Sequence, residues 1–134
     1  MIDVLSRAIE VMRQTTWPDT AAALHYEVAE SFWDAGFFVE FEHRVPNRGD
    51  GRPGRIDLVV SLGKTRIAIE LDCRRPRAKS IFKLRSFDGF RLIGLRGVEW
   101  VEQIAGIDCV IGMPVRQAMR DERKDKRTVN RRAA

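Results

Sequence analysis

Residues 55–72 read RIDLVVSLGKTRIAIELD. Two runs of eight residues flank Gly63-Lys64, and a two-residue loop with glycine first suits the type II′ turn of a β-hairpin. That turn fixes a register in which Leu62 faces Thr65, Asp57 faces Glu70 and Arg55 faces Asp72. One face then carries Ile56, Leu58, Val60, Leu62, Thr65, Ile67, Ile69 and Leu71, which belong in a core. The other carries Arg55, Asp57, Val59, Ser61, Arg66, Ala68, Glu70 and Asp72, with its charges gathered at one end. Asp57 opposite Glu70 is a like-charge pair with Cβ atoms ~5 Å apart, which is destabilising unless a proton, an arginine or a cation neutralises it. A hard divalent metal, Mg²⁺ or Mn²⁺, suits two carboxylates and keeps several waters. The bland alternative is quenching by Arg55, Arg66 or Arg74 in a surface ion network, and for Asp72 a salt bridge to the facing Arg55.

Outward from the hairpin, the pattern gives helix, helix, strand, strand, strand, helix, strand, strand. A first helix is expected over Asp3 to Gln14, broken by Trp17-Pro18. A second, AAALHYEVAESFWDA, starts from a cap at Asp19 or Thr20 and ends at Gly36, with Leu24, Val28 and Phe32 on its buried stripe. FFVEFEHRV alternates as a strand, and PNRGDGRPG, with two prolines and three glycines, is a loop. AKSIFKLRSF, residues 78–87, suits a short helix; FRLIGL and GIDCVIG read as strands. Helices segregated from a strand meander imply a small α/β or α+β domain with a mixed sheet over residues 1–115. Residues 116–134 form a basic tail, helical or disordered.

The 134 residues are the size of one domain. No apolar run approaches a membrane span, and the N-terminus lacks a signal-peptide pattern, which points to a cytoplasmic protein without membrane association. Cys73 and Cys109 read as free thiols, and with His25 and His43 isolated, a zinc site is not expected. Both histidines read as structural or solvent-edge residues. Of 24 basic and 19 acidic residues, the tail holds eight and three, so the body is balanced at sixteen of each sign. Within it, Arg74–Arg96 carries eight basic residues against Asp88 alone. Polyanions are natural partners of such patches. A solvated surface is the bland reading, above all for the tail. Trp17, Trp33 and Trp100 are candidates for base stacking, although packing accounts for most aromatics here.

These residues resemble the PD-(D/E)xK nuclease superfamily. Its restriction-endonuclease-like core runs αβββαβ, with an Asp on the second strand and a Glu on the third, written D…ExK. Here GRID supplies Asp57, and AIELD supplies Glu70 thirteen residues later. The resemblance covers about residues 20–112 and leaves the first helix as an addition. It implies a metal-dependent DNA endonuclease, a phosphodiester hydrolase. Asp57 and Glu70 would bind Mg²⁺, with the Leu71 carbonyl as a further ligand and Glu27, or else Glu30, added from the preceding helix. The family lysine falls on Asp72. The resemblance implies that either Asp72 in that place, or a lysine from a neighbouring element, positions the attacking water, with Lys79 the first such candidate and Lys83 one helical turn further on. Arg52, Arg55, Arg74, Arg75, Arg77, Lys83 and Arg85 would hold the nucleic-acid backbone, DNA rather than RNA. A homodimer fits a chain this small. The alternative is a nuclease-fold protein that has lost catalysis with the lysine and binds nucleic acid or a protein partner. A third reading is an adaptor whose work is done by residues 116–134.

Overall fold

A computed structural model of the chain describes residues 3–98 and 101–115, so the basic tail and Trp100 lie outside the described residues. The elements follow the expected order: α1 (Val4–Gln14), α2 (Ala21–Asp34), β1 (Phe38–Val45), β2 (Gly54–Leu62), β3 (Thr65–Asp72), α3 (Ala78–Arg85), β4 (Phe90–Arg96) and β5 (Cys109–Met113). They form an α+β arrangement around one five-stranded mixed sheet, in the order β1-β2-β3-β4-β5. The first three strands are an antiparallel meander; β4 runs parallel to β3, and β5 parallel to β4. No helix among the described residues is long and apolar enough to cross a membrane.

Local chemistry explains the boundaries. Asp3 accepts the Ser6 N–H at 2.7 Å and starts α1; Thr20, rather than Asp19, accepts the Ala23 N–H at 3.3 Å and starts α2. Gly36, at φ +90°, takes the left-handed conformation after α2. Arg7 on α1 donates to the Ala35 carbonyl at 2.7 Å and ties the first helix to the end of the second. In the hairpin, Gly63 has φ +61° and Lys64 does not go positive, the II′ pattern.

The sheet is covered on both faces. Ala8 and Met12 of α1, with Leu24, Val28 and Phe32 of α2, pack over Leu58, Val60, Ile67, Ile69 and Leu92. On the other face Leu84 of α3 packs with Phe87 over Val59, Ala68, Ile93 and Val110. The mixed face of the hairpin is therefore no open surface: Val59, Ala68, Glu70 and Asp72 are all buried. At the outer edge of β5, the Gln103 amide donates to the Val110 carbonyl at 3.0 Å and accepts the Val110 N–H at 2.9 Å, taking the place of a further strand.

β5 is pressed closely against the segment after β4. A Cβ at Gly112 would lie 2.5 Å from the Gly97 carbonyl oxygen, whereas one at Gly94 would meet the flexible ends of Met12 and Met113 at 2.7 and 2.8 Å. Backbone cannot yield as a methionine tip can. Gly112→Ala should therefore lower stability by about 1–3 kcal/mol and Gly94→Ala by less, measured as urea midpoints at constant m.

Candidate functional site

The register derived from the turn holds from Leu62–Thr65 to Leu58–Ile69 and then stops. At the next position the two strands exchange side chains for ladder bonds. The Asp57 N–H donates to Glu70 Oε2 at 3.2 Å, and the Leu71 N–H donates to Asp57 Oδ2 at 2.8 Å. Asp57 and Glu70 are thus brought together as expected, but through each other's backbone.

The other neighbour of β2 shows why. Phe41 pairs with Leu58 and His43 with Ile56, while Glu42, which would face Asp57, drops out of the ladder at φ +51°. This left-handed kink reverses the strand's alternation. Leu58 and Val60 point toward α1 and α2, whereas Ile56 and Val45 join the core under α3. Asp57 sits where β2 changes face, so its carboxylate lies in the fork opening between β2 and β3.

Glu70 is fully buried. Its Oε1 meets the Lys83 ammonium, without the geometry of a regular hydrogen bond. Lys83 Nζ also donates to the Arg55 carbonyl at 2.8 Å, and its side chain is only 13 % exposed. The absence of a side chain at Gly54 leaves room for the Lys83 stem, since a Cβ there would lie 3.1 Å from Lys83 Cδ. So the lysine that meets Glu70 is Lys83; Lys79, the first candidate, is exposed. Burial pushes the Glu70 carboxyl up to about 8, the Asp57 carboxylate pushes the same way, and Lys83 opposes both.

This shift sets a pH dependence. The folded-state value lies above the ordinary 4.5, so between those values the folded chain holds a proton that the unfolded chain has released. The group's contribution to stability is full below that window and is lost as pH rises through about 8. Relative to Glu70→Gln, wild type should lose a few kcal/mol of stability between about pH 5 and pH 9, measured by urea unfolding across that range.

Asp72 occupies the family lysine's place but does structural work. It is buried, and its carboxylate accepts the Arg77 N–H at 2.9 Å, Arg77 Nε at 3.0 Å and the Ser80 hydroxyl at 3.0 Å. These contacts span the β3–α3 connection and the first turn of α3. The salt bridge expected between Asp72 and Arg55 does not form: the ladder ends before that pair, and Arg55 turns outward to Glu42 at 3.1 Å. Among the described residues, none of Arg55, Arg66 and Arg74 forms an ion pair with Asp57 or Glu70; Glu70 meets Lys83.

On the opposite face, α2 places His25 Nε2 at 3.9 Å from Asp57 Oδ1. Glu27 lies on the same helix two residues on and is half-buried. Glu30 is exposed. His25, read from sequence as a structural or solvent-edge residue, sits at the margin of the buried stripe beside Leu24 and Val28. His43 instead contacts Glu40 and stacks edge-on against Phe87 at 5.6 Å.

The residues expected to hold phosphate, and Lys79 beside them, differ in how far the protein itself engages them. Arg52, Arg74, Arg75, Lys79 and Arg85 are exposed. Arg77 is engaged with Asp72, Arg55 with Glu42 and Lys83 with Glu70. Arg91, part of the same basic stretch, directs its guanidinium to the carbonyls of Arg85, Phe87 and Gly106. Trp17 is buried, whereas Trp33 is exposed beside Phe41 at 6.0 Å. Cys73 and Cys109 are free thiols.

A cleft of about 870 Å³ lies at the other end of β3 and β4, lined by Lys64, Arg66, Asp88, Arg91 and Asp108. Its Arg91 donates to carbonyls, and its Asp108 accepts the Arg91 N–H at 2.8 Å. The carboxylates lie instead toward the carboxyl end of β3, where open sheets with parallel strands place their sites.

Among the described residues, no three His, Cys, Asp or Glu side chains already stand as a metal-holding group. The Asp57 and Glu70 carboxylates adjoin; Asp57 is 21 % exposed, while the buried Glu70 Oε1 meets the Lys83 ammonium. Comparison with known proteins returns no matching family model and no match among curated proteins.

Proposed function

We propose that the chain is a small metal-dependent nuclease that hydrolyses phosphodiester bonds in DNA, with a restriction-endonuclease-like core. The observation that carries this reading is the trio Asp57, Glu70 and Lys83, drawn from β2, β3 and α3 to one point at the fork of the hairpin. The order of strands and helices, with a meander followed by a helix and a parallel strand, supports the same reading.

In this account Asp57 and Glu70 hold Mg²⁺ or Mn²⁺. When bound, the ion lowers the pKa of a water and offsets charge on the scissile phosphate. Lys83, held between Glu70 and the Arg55 carbonyl, places a cation beside the reacting oxygens without needing a lysine on β3 itself. Asp72 acts at one remove, by fixing the start of α3. Arg74, Arg75 and Lys79, exposed beyond β3, contact the DNA backbone in a sequence-independent, salt-sensitive way.

Plasmid or branched DNA incubated with the protein and Mg²⁺ or Mn²⁺ tests the reading. Wild type should cleave, chelator should stop it, and Asp57→Ala should lose at least about a hundred-fold in rate. Protein that binds DNA but never nicks it with either ion would replace this reading with the non-catalytic one.

A further inference from the structure

We propose that Arg44 and Arg55 form a phosphate-binding pocket that takes a backbone phosphate next to the scissile one; this rests on reading the chain as a nuclease. The register of β1 on β2 sets the two residues directly opposite each other. Two like charges so placed, with Cβ atoms about 5 Å apart, repel unless an anion offsets them. Their neighbours Val45 and Ile56 are buried in the core under α3, so alternation along the strands turns both arginines to the other face of the sheet. There the two arginines, with Pro53 and Gly54, line a pocket of about 380 Å³.

The protein offsets only one of the two charges. Glu42 accepts from Arg55 at 3.1 Å, in a pair whose side chains are both more than half exposed. A pair so open to water holds weakly, and it uses one of the five N–H donors of the guanidinium. Arg44 makes no hydrogen bond or ion pair among the described residues. The loop beside the pocket is braced from within: the Asn47 side chain accepts the Gly49 and Gly51 N–H groups at 2.8 and 3.0 Å, and the Arg48 N–H donates to the Arg52 carbonyl at 2.9 Å. A pocket built beforehand gives up little order on filling. Its place in the fold selects the anion. Asp57 stands two residues further along β2, about 7 Å by the rise of a strand. The Arg55 carbonyl accepts Lys83 Nζ at 2.8 Å, so the pocket adjoins the fork. A strand with one phosphate at the fork brings its neighbour within reach of two guanidinia, whose planar donors suit phosphate oxygens.

The test has two arms. In one, inorganic phosphate is titrated into the intact protein, and the arginine Nε–H signals are followed by NMR; those of Arg44 and Arg55 should move together. In the other, the anisotropy of a labelled DNA duplex reports binding without metal, so that nothing is cut. Arg44→Ala and Arg55→Ala should each weaken binding by about three- to ten-fold and reduce the salt dependence by about one phosphate contact. Glu42→Gln releases Arg55 and should tighten binding by about two-fold, a gain that misfolding does not produce. Circular dichroism checks that each variant is folded. DNA affinity unchanged in both arginine variants, with cleavage by wild type intact, would overturn the pocket and leave the nuclease standing. Phosphate-induced movement at Arg44 and Arg55 with that same unchanged affinity would assign the pocket to free phosphate and overturn its backbone role. Wild type that binds no DNA would overturn the nuclease reading itself.

Discussion

Replacing Lys83 with methionine should lower metal-dependent DNA cleavage by about a hundred- to a thousand-fold, the cost of removing one well-placed group that stabilises developing charge. The same change at Lys79 should alter the rate by less than about three-fold, since an exposed phosphate contact adds little to the chemical step. The contrast follows from burial. Lys83 is largely enclosed, touches Glu70 and donates to the Arg55 carbonyl, whereas Lys79, one turn earlier, faces solvent. Lys83→Met also leaves Glu70 buried without its cation, which pushes that carboxyl further up and weakens its hold on a metal. Initial nicking rates at saturating metal separate the two lysines. Loss of activity in Lys79→Met with Lys83→Met unaffected would return the role to the exposed lysine.

Asp72→Ala should destabilise the fold by about 3–5 kcal/mol, among the largest effects of any single substitution here. The carboxylate is buried and takes three hydrogen bonds, one of them from a guanidinium. Its removal strands the Ser80 hydroxyl and the Arg77 N–H under α3 and takes away the partner of the Arg77 cation. Asp72→Asn keeps the shape and part of the bonding, so it should fall between wild type and alanine. Chemical denaturation measures the stabilities. Because α3 carries Lys83, Asp72→Asn should also slow cleavage under conditions where the variant remains folded. A residue that positioned the attacking water directly would instead show its loss in rate without a loss of stability. This comparison separates the expectation that Asp72 replaces the lysine from the structural role its contacts support.

The hairpin was readable because two signals coincide: a glycine at the position that requires positive φ, and an apolar residue at every second position on both sides of it. The element order was readable for similar local reasons, such as the Thr20 cap and Gly36 after α2. Three features were not. The kink at Glu42 has no signal, because the left-handed conformation falls on a glutamate, where sequence gives no reason to expect it. Its consequence, the change of face at Asp57, decides how the carboxylates meet. The choice between Lys79 and Lys83 depends on how α3 is rotated against the sheet, and that rotation is held by Asp72, Arg77 and Ser80. Finally, charge counting treats arginines as free, yet Arg77 and Arg91 are committed to the protein's own carboxylate and carbonyls. The basic stretch is real in sequence, but only part of it faces outward.

The most direct test of the central claim is a crystal of the wild-type protein soaked in Mn²⁺, examined for anomalous density. The account predicts a peak in the fork between β2 and β3, within about 2.3 Å of oxygens from both Asp57 and Glu70, and no such peak in Asp57→Ala. A fully occupied Mn²⁺ elsewhere with the fork empty would contradict it.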